Sequence, residues 1–84
     1  MHHLLQIGLV EQDILKILKE KGIGDEDTNL DTLLVDDLGM DSLDMADLTN
    51  SLDEKFNMSI SLETAEKWDT VRDVVNHVNN AIHS

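Results

Sequence analysis

One hydroxyl is better placed to do chemistry than any other group in this chain. In Val35-Asp36-Asp37-Leu38-Gly39-Met40-Asp41-Ser42-Leu43-Asp44, Ser42 stands where a glycine-containing loop turns into a helix. A hydroxyl there is open to an approaching enzyme, and a phosphate attached to it would lie beside the free amides and positive pole of the helix start. The ordinary reading of an isolated Asp-Ser-Leu is a serine that caps its helix, so the weight falls on the longer segment. The chain has no cysteine. That removes disulfides, thiolate metal sites and a cysteine nucleophile, and any thiol chemistry must come from something attached.

Two other constellations compete. Asp25-Glu26-Asp27-Thr28-Asn29-Leu30-Asp31 places oxygens at alternate positions like the start of a calcium loop. Leu30, however, occupies the place that needs glycine for a sharp turn, and Asp36 stands where a longer Glu would grip the ion with both oxygens. Gly39-Met40-Asp41-Ser42-Leu43 superficially resembles serine-hydrolase blocks. His2, His3 and His83 lie near the ends, and His77 falls on the last helix with no sign of an orienting acid or an oxyanion hole. No catalytic residue and no metal ligand is assigned, and His2 and His3 receive no metal-binding role.

The elements that must position Ser42 can be read from periodicity. Over residues 5–21, Ile7, Val10, Ile14, Ile17 and Leu18 recur at three- and four-residue steps and predict a first helix, closed by a left-handed Gly22. Residues 23–40 hold no sustained period, yet Leu30, Leu33, Leu34, Val35 and Leu38 punctuate them, so they read as a long loop pinned to the core. A second helix is expected over residues 42–56. Met45, Leu48, Leu52 and Phe56 form its apolar stripe, and Asp44, Asp47, Ser51 and Glu54 fall on another face. Ser61 is a candidate N-cap for a short third helix within residues 60–68. Thr70-Val71-Arg72-Asp73 resembles a capping box, and Val71, Val74, Val75, Val78 and Ile82 mark a fourth stripe.

Composition narrows the rest. The chain has 84 residues and no proline, room for one domain (residues 1–84) with one modest core. The abundance of Leu, Asp and Glu favours an all-α fold. Eighteen acidic against six basic residues give a formal charge of −12. Such a field repels nucleic acid and anionic lipid and favours proteins with basic patches. Without an apolar run of spanning length or a secretory signal, the expectation is a cytoplasmic monomer with no membrane insertion.

At residue level, Asp37-Leu38-Gly39-Met40-Asp41-Ser42-Leu43-Asp44 resembles the attachment motif of bacterial-type acyl carrier proteins. Leu48, Leu52-Asp53-Glu54-Lys55-Phe56, Ile60, Ala65-Glu66-Lys67 and Thr70-Val71 extend the resemblance over roughly residues 34–82, and the first helix matches in pattern and position. The resemblance implies a four-helix bundle with three longer helices, a short third one and a long first loop. It also implies that Ser42 carries phosphopantetheine, taken from coenzyme A by a separate Mg²⁺-dependent phosphopantetheinyl transferase. The protein would then be a carrier with no enzyme activity of its own, holding acyl groups as thioesters for fatty-acid, polyketide or related lipid biosynthesis. Its partners would be the transferase, acyl-loading enzymes and synthases with basic docking patches. Asp41, Leu43, Asp44, Met45, Asp47 and Glu54 are candidates for partner recognition. The resemblance also suggests that a short acyl chain folds back into the interior, lined by Met45, Ala46, Leu52, Phe56, Ile60, Ala65, Trp68 and Val74, although core packing alone accounts for their spacing.

Ala46, Asn50, Ser61 and Trp68 depart from the housekeeping fatty-acid carriers. Thr49-Asn50-Ser51 is expected to make the exposed middle of the second helix unusually polar, which suggests a specialised pathway. An aminoacyl or D-alanyl carrier with the same arm is the nearer alternative, and a calcium-binding protein the distant one.

Overall fold

The apolar stripes converge as their spacing predicts. The computed structural model describes residues 2–83, with side chains from residue 8 onward. Its helices in chain order are α1 (His2–Glu20), α2 (Ser42–Phe56), α3 (Leu62–Ala65) and α4 (Val71–His83). No strand occurs among the described residues, only one isolated antiparallel bridge between Leu33 and Thr70. The core is built from Ile14 and Leu18 of α1, Met45, Leu48 and Leu52 of α2, Ala65 of α3, and Val71, Val74, Val75 and Val78 of α4. Leu34, Met40 and Trp68, which lie between helices, complete it.

Three expectations change. The first helix starts at His2 and its last turn ends at Glu20; the side chain of Ile7 lies outside the described residues. Ile82 is 45% exposed instead of buried, part of a last turn of α4 in which residues 80–83 are all exposed. In the long loop, Leu34 is fully buried but Leu33 and Val35 are not, at 37% and 59% exposed. Only Leu33 itself bridges Thr70; residues 34–38 form a turn closed by Asp37 and Leu38 N–H on Leu33 O, and of the three apolar residues entering it only Leu34 faces the core. Leu30, Leu38 and Ile23 pack at its margin.

Hydrogen bonding explains why a loop of this length is ordered. The first amides of α4 lack intrahelical acceptors, and the loop supplies them. Val71 N–H donates to Thr32 O (3.1 Å) and Arg72 N–H to Leu30 O (2.9 Å), while Leu34 N–H donates back to Asp69 O (2.9 Å). The expected capping box is present. Asp73 N–H donates to Thr70 Oγ1, and Asp73 Oδ2 accepts from Thr70 N–H and, at 2.8 Å, from Asp69 N–H. At the other end of the loop Gly22 is left-handed (φ 75°), with Gly22 N–H on Lys19 O and Ile23 N–H on Leu18 O, the pairing that closes a helix.

The alternating oxygens of residues 25–31 serve turns. Asp25 Oδ1 accepts Asp27 N–H, Thr28 Oγ1 accepts Asp25 N–H, and Asn29 Oδ1 accepts Asp31 N–H. Side-chain to backbone bonds two or three residues apart produce the same alternation as a calcium loop without converging on a centre. Among the described residues no group of three or more His, Cys, Asp or Glu is arranged to hold a metal ion.

Candidate functional site

The local geometry of Ser42 is set by its neighbours. Asp37 Oδ2 accepts Leu33 N–H at 2.8 Å, and the turn it braces brings Leu38 N–H onto Leu33 O. Gly39 follows with φ 66°, a conformation that L side chains resist. Met40 then drops into the core, 3% exposed, with its N–H on Leu34 O. Asp41, extended at φ −116°, is the N-cap. Its Oδ1 accepts Asp44 N–H at 2.9 Å and Asp44 Oδ2 accepts Asp41 N–H at 3.3 Å, a complete capping box.

The alternative that Ser42 is merely a cap is therefore overturned. Ser42 is the first helical residue, exposed, and its hydroxyl makes no hydrogen bond among the described residues. The signal for this was present in the sequence: Asp41-x-x-Asp44 has the pattern by which Thr70-x-x-Asp73 was read, with aspartates at both ends. Capping satisfies Asp44 N–H, and Met45 N–H donates to Asp41 O. The Ser42 and Leu43 amides find no acceptor among the described residues. Where the loop fills the start of α4 with carbonyls, the start of α2 keeps two donors open beside a free hydroxyl. A phosphodiester on Ser42 fits that environment, since its oxygens would meet unpaired N–H groups at the positive end of a helix.

The six candidate recognition residues do not share one environment. Leu43 is 80% exposed beside Ser42, and Asp41 and Asp44 flank it while holding the cap. Met45 is buried and belongs to the core. Asp47 is engaged by Lys21, with Nζ 2.7 Å from Oδ2, and Glu54 lines a groove of about 490 Å³ with Lys16, Lys21 and Lys55. Thr49 is also buried, its hydroxyl donating to Ala46 O at 2.8 Å. That corrects the expected polar patch. The exposed middle of α2 is Asn50 alone, with Ser51 half-buried, because a hydroxyl bonded to its own helix can enter the core without an orphaned donor.

Of the candidate acyl-lining residues, Met45, Leu52, Ala65, Trp68 and Val74 are buried in the core, with Phe56 and Ile60 packed against it and Ala46 half-buried. Asp53, whose Oδ1 accepts Ile60 N–H at 2.9 Å, ties the end of α2 to the approach to α3. Trp68 borders a hollow of about 260 Å³ with Leu33, Val35, Asp36 and Asp69. Its ring lies against His77, centroids 5.6 Å apart. His77 makes no hydrogen bond to Ser42 or to any described carboxylate, so no nucleophile–base pair forms. The carboxyl of Asp73 is held below its ordinary range, first by the amide of Asp69, then by that of Thr70, against a smaller opposing effect of burial.

The bundle thus displays an exposed hydroxyl at the start of α2, with no base hydrogen-bonded to it among the described residues. The family model described as "Phosphopantetheine attachment site" matches residues 12–78, which includes α2, α3 and the loop before Ser42. The chain belongs to that family of phosphopantetheine-bearing carriers. No helix among the described residues is long and apolar enough to cross a membrane.

Proposed function

We propose that the chain is one acyl carrier domain, residues 1–84, in which Ser42 is the residue that receives phosphopantetheine. The observation that carries this is the exposed, unbonded Ser42 hydroxyl at the first position of α2, beside two open amides and inside the matched segment. In the transfer reaction Ser42 Oγ attacks the β-phosphate of coenzyme A. The new O–P bond replaces the pyrophosphate bond, the adenosine bisphosphate half leaves, and the hydroxyl proton passes to a base of the transferase. Once in place, the arm supplies the terminal thiol that this cysteine-free chain lacks, and acyl groups are held there as thioesters.

The chain's own residues do the positioning. Asp41 and Asp44 cap α2 and fix the backbone at Ser42, and the Ser42 and Leu43 amides face the phosphate. Leu43 offers an apolar contact between carboxylates to partners with basic docking patches in the cytoplasm. The acidic run Asp41-Ser42-Leu43-Asp44 favours acyl over aminoacyl or D-alanyl cargo, and Asn50 on the exposed face favours a specialised lipid pathway over the housekeeping one.

The test is intact mass after incubation with coenzyme A, Mg²⁺ and a phosphopantetheinyl transferase. One added arm on the wild type and none on Ser42→Ala supports the assignment; an arm on both, or on neither, refutes it. The thioester mass on protein isolated from its native cell then identifies the cargo.

A further inference from the structure

The ion pairs of this chain are unequal. Lys19–Glu26 (3.7 Å) and Arg72–Asp31 (2.9 Å) join side chains that are all more than half exposed, the kind of surface pair that contributes little. Lys21–Asp47 is different. Its N–O distance is 2.7 Å, and the Lys21 side chain is only 19% exposed while Asp47 remains 60% exposed. Lys21 leaves the end of α1 one residue before the left-handed Gly22, with its N–H on Ile17 O. A lysine stem laid along the bundle in this way keeps its ammonium at the protein–water boundary at little cost.

The surroundings extend the pattern. Lys16, Lys21 and Lys55, three of the six cationic side chains in a chain of charge −12, line the groove between α1 and α2 with Asp13, Glu20 and Glu54. Half of the cationic side chains are therefore gathered at the seam between α1 and α2, interleaved with carboxylates. Asp47 lies five residues beyond Ser42, about 7.5 Å along the axis at the usual helical rise. Asp47 is paired with Lys21 and Glu54 shares the groove with Lys16, Lys21 and Lys55, whereas Asp41 and Asp44 at the start of α2 have no ion-pair partner among the described residues.

We propose that Lys21 determines partner specificity by occupying Asp47, so that basic partners meet an acidic face confined to the first turn of α2 around Leu43. This rests on the reading of Ser42 as the modified residue and of basic proteins as its partners. A partner that seeks Asp47 must displace an ammonium already seated there, and one that reads only Asp41, Leu43 and Asp44 does not. Lys21 thus narrows the set of proteins that can dock.

The experiment is a double-mutant cycle in arm transfer from coenzyme A, with a phosphopantetheinyl transferase that has a basic docking surface and the full chain as substrate. Wild type, Lys21→Gln, Asp47→Asn and the double variant are compared at low and physiological salt. The expected result is that Asp47→Asn in the wild-type background changes KM by less than about twofold, while Lys21→Gln lowers KM about threefold and steepens its salt dependence. In the Lys21→Gln background, Asp47→Asn should restore the original KM, with kcat constant throughout. Lys21→Arg, which keeps the pair, should behave as wild type. If Gln loosens the end of α1, Lys21→Met preserves the packed stem and removes the charge alike. Equal effects of Asp47→Asn in both backgrounds, or an unchanged KM in Lys21→Gln and Lys21→Met, overturn the proposal. A wild type that is modified normally together with an additive cycle refutes only the role of Lys21. A wild type that takes up no arm refutes the reading of Ser42, and this proposal with it.

Discussion

Asp73 holds together the junction on which the loop before Ser42 is hung, and its removal has a calculable cost. Its Oδ2 accepts the amides of Asp69 (2.8 Å) and Thr70 (3.1 Å). The carbonyl of the same Asp69 receives the Leu34 amide. Asp73→Ala removes the reciprocal half of a capping box, about 1 kcal/mol, and a negative charge in the first turn of α4, about 0.5 kcal/mol. Together, about 1.5 kcal/mol should lower the melting temperature of a domain this small by about 6–12 °C. Asp73→Asn keeps an acceptor and loses only the charge, so its deficit at neutral pH should be smaller. The sign of the pH dependence follows from the direction of the shift. The native carboxyl titrates below its ordinary value of 3.8, so its contribution is complete above that value and is lost as pH falls through the native one. Wild type and Asp73→Asn should therefore differ at pH 7 and converge in acid, while Asp73→Ala stays below both. Thermal unfolding followed by circular dichroism at both pH values measures this, and amide exchange at Leu34 should quicken in Asp73→Ala. Equal stability of wild type and Asp73→Ala at pH 7, or a wild type–Asp73→Asn difference that persists undiminished in acid, would refute the reasoning.

Two further outcomes are expected. Leu34→Ala, at a fully buried position, should cost about 2–5 kcal/mol, while Leu33→Ala next to it, 37% exposed, should cost about 0.5 kcal/mol; urea titration distinguishes them, and equal losses would contradict the assignment of Leu34 alone to the core. With a formal charge of −12 on 84 residues, added salt should raise the melting temperature by screening carboxylate repulsion, and a flat response would contradict that electrostatic account.

Much of the architecture was legible because it rests on local rules. Helical periodicity marked the extent of α2, Gly22 supplied a left-handed closure, and Ser61 caps α3, accepting Thr64 N–H. Thr70-x-x-Asp73 and the valines at 71, 74, 75 and 78 identified α4, and the resemblance around Ser42 led to the family that the match over residues 12–78 establishes. These signals lie within a few residues of one another, where capping geometry and side-chain spacing act directly.

What the sequence by itself determined is a helical bundle presenting one hydroxyl at the start of its second helix. Tertiary structure decided which neighbours that hydroxyl keeps. That Thr49 turns inward, that Leu34 is buried between two exposed apolar residues, and that Lys21 reaches across 26 positions to Asp47 are consequences of how the elements pack. Periodicity places a residue on a face of its own element, but only the approach of another element determines whether that face is covered, and by which charge.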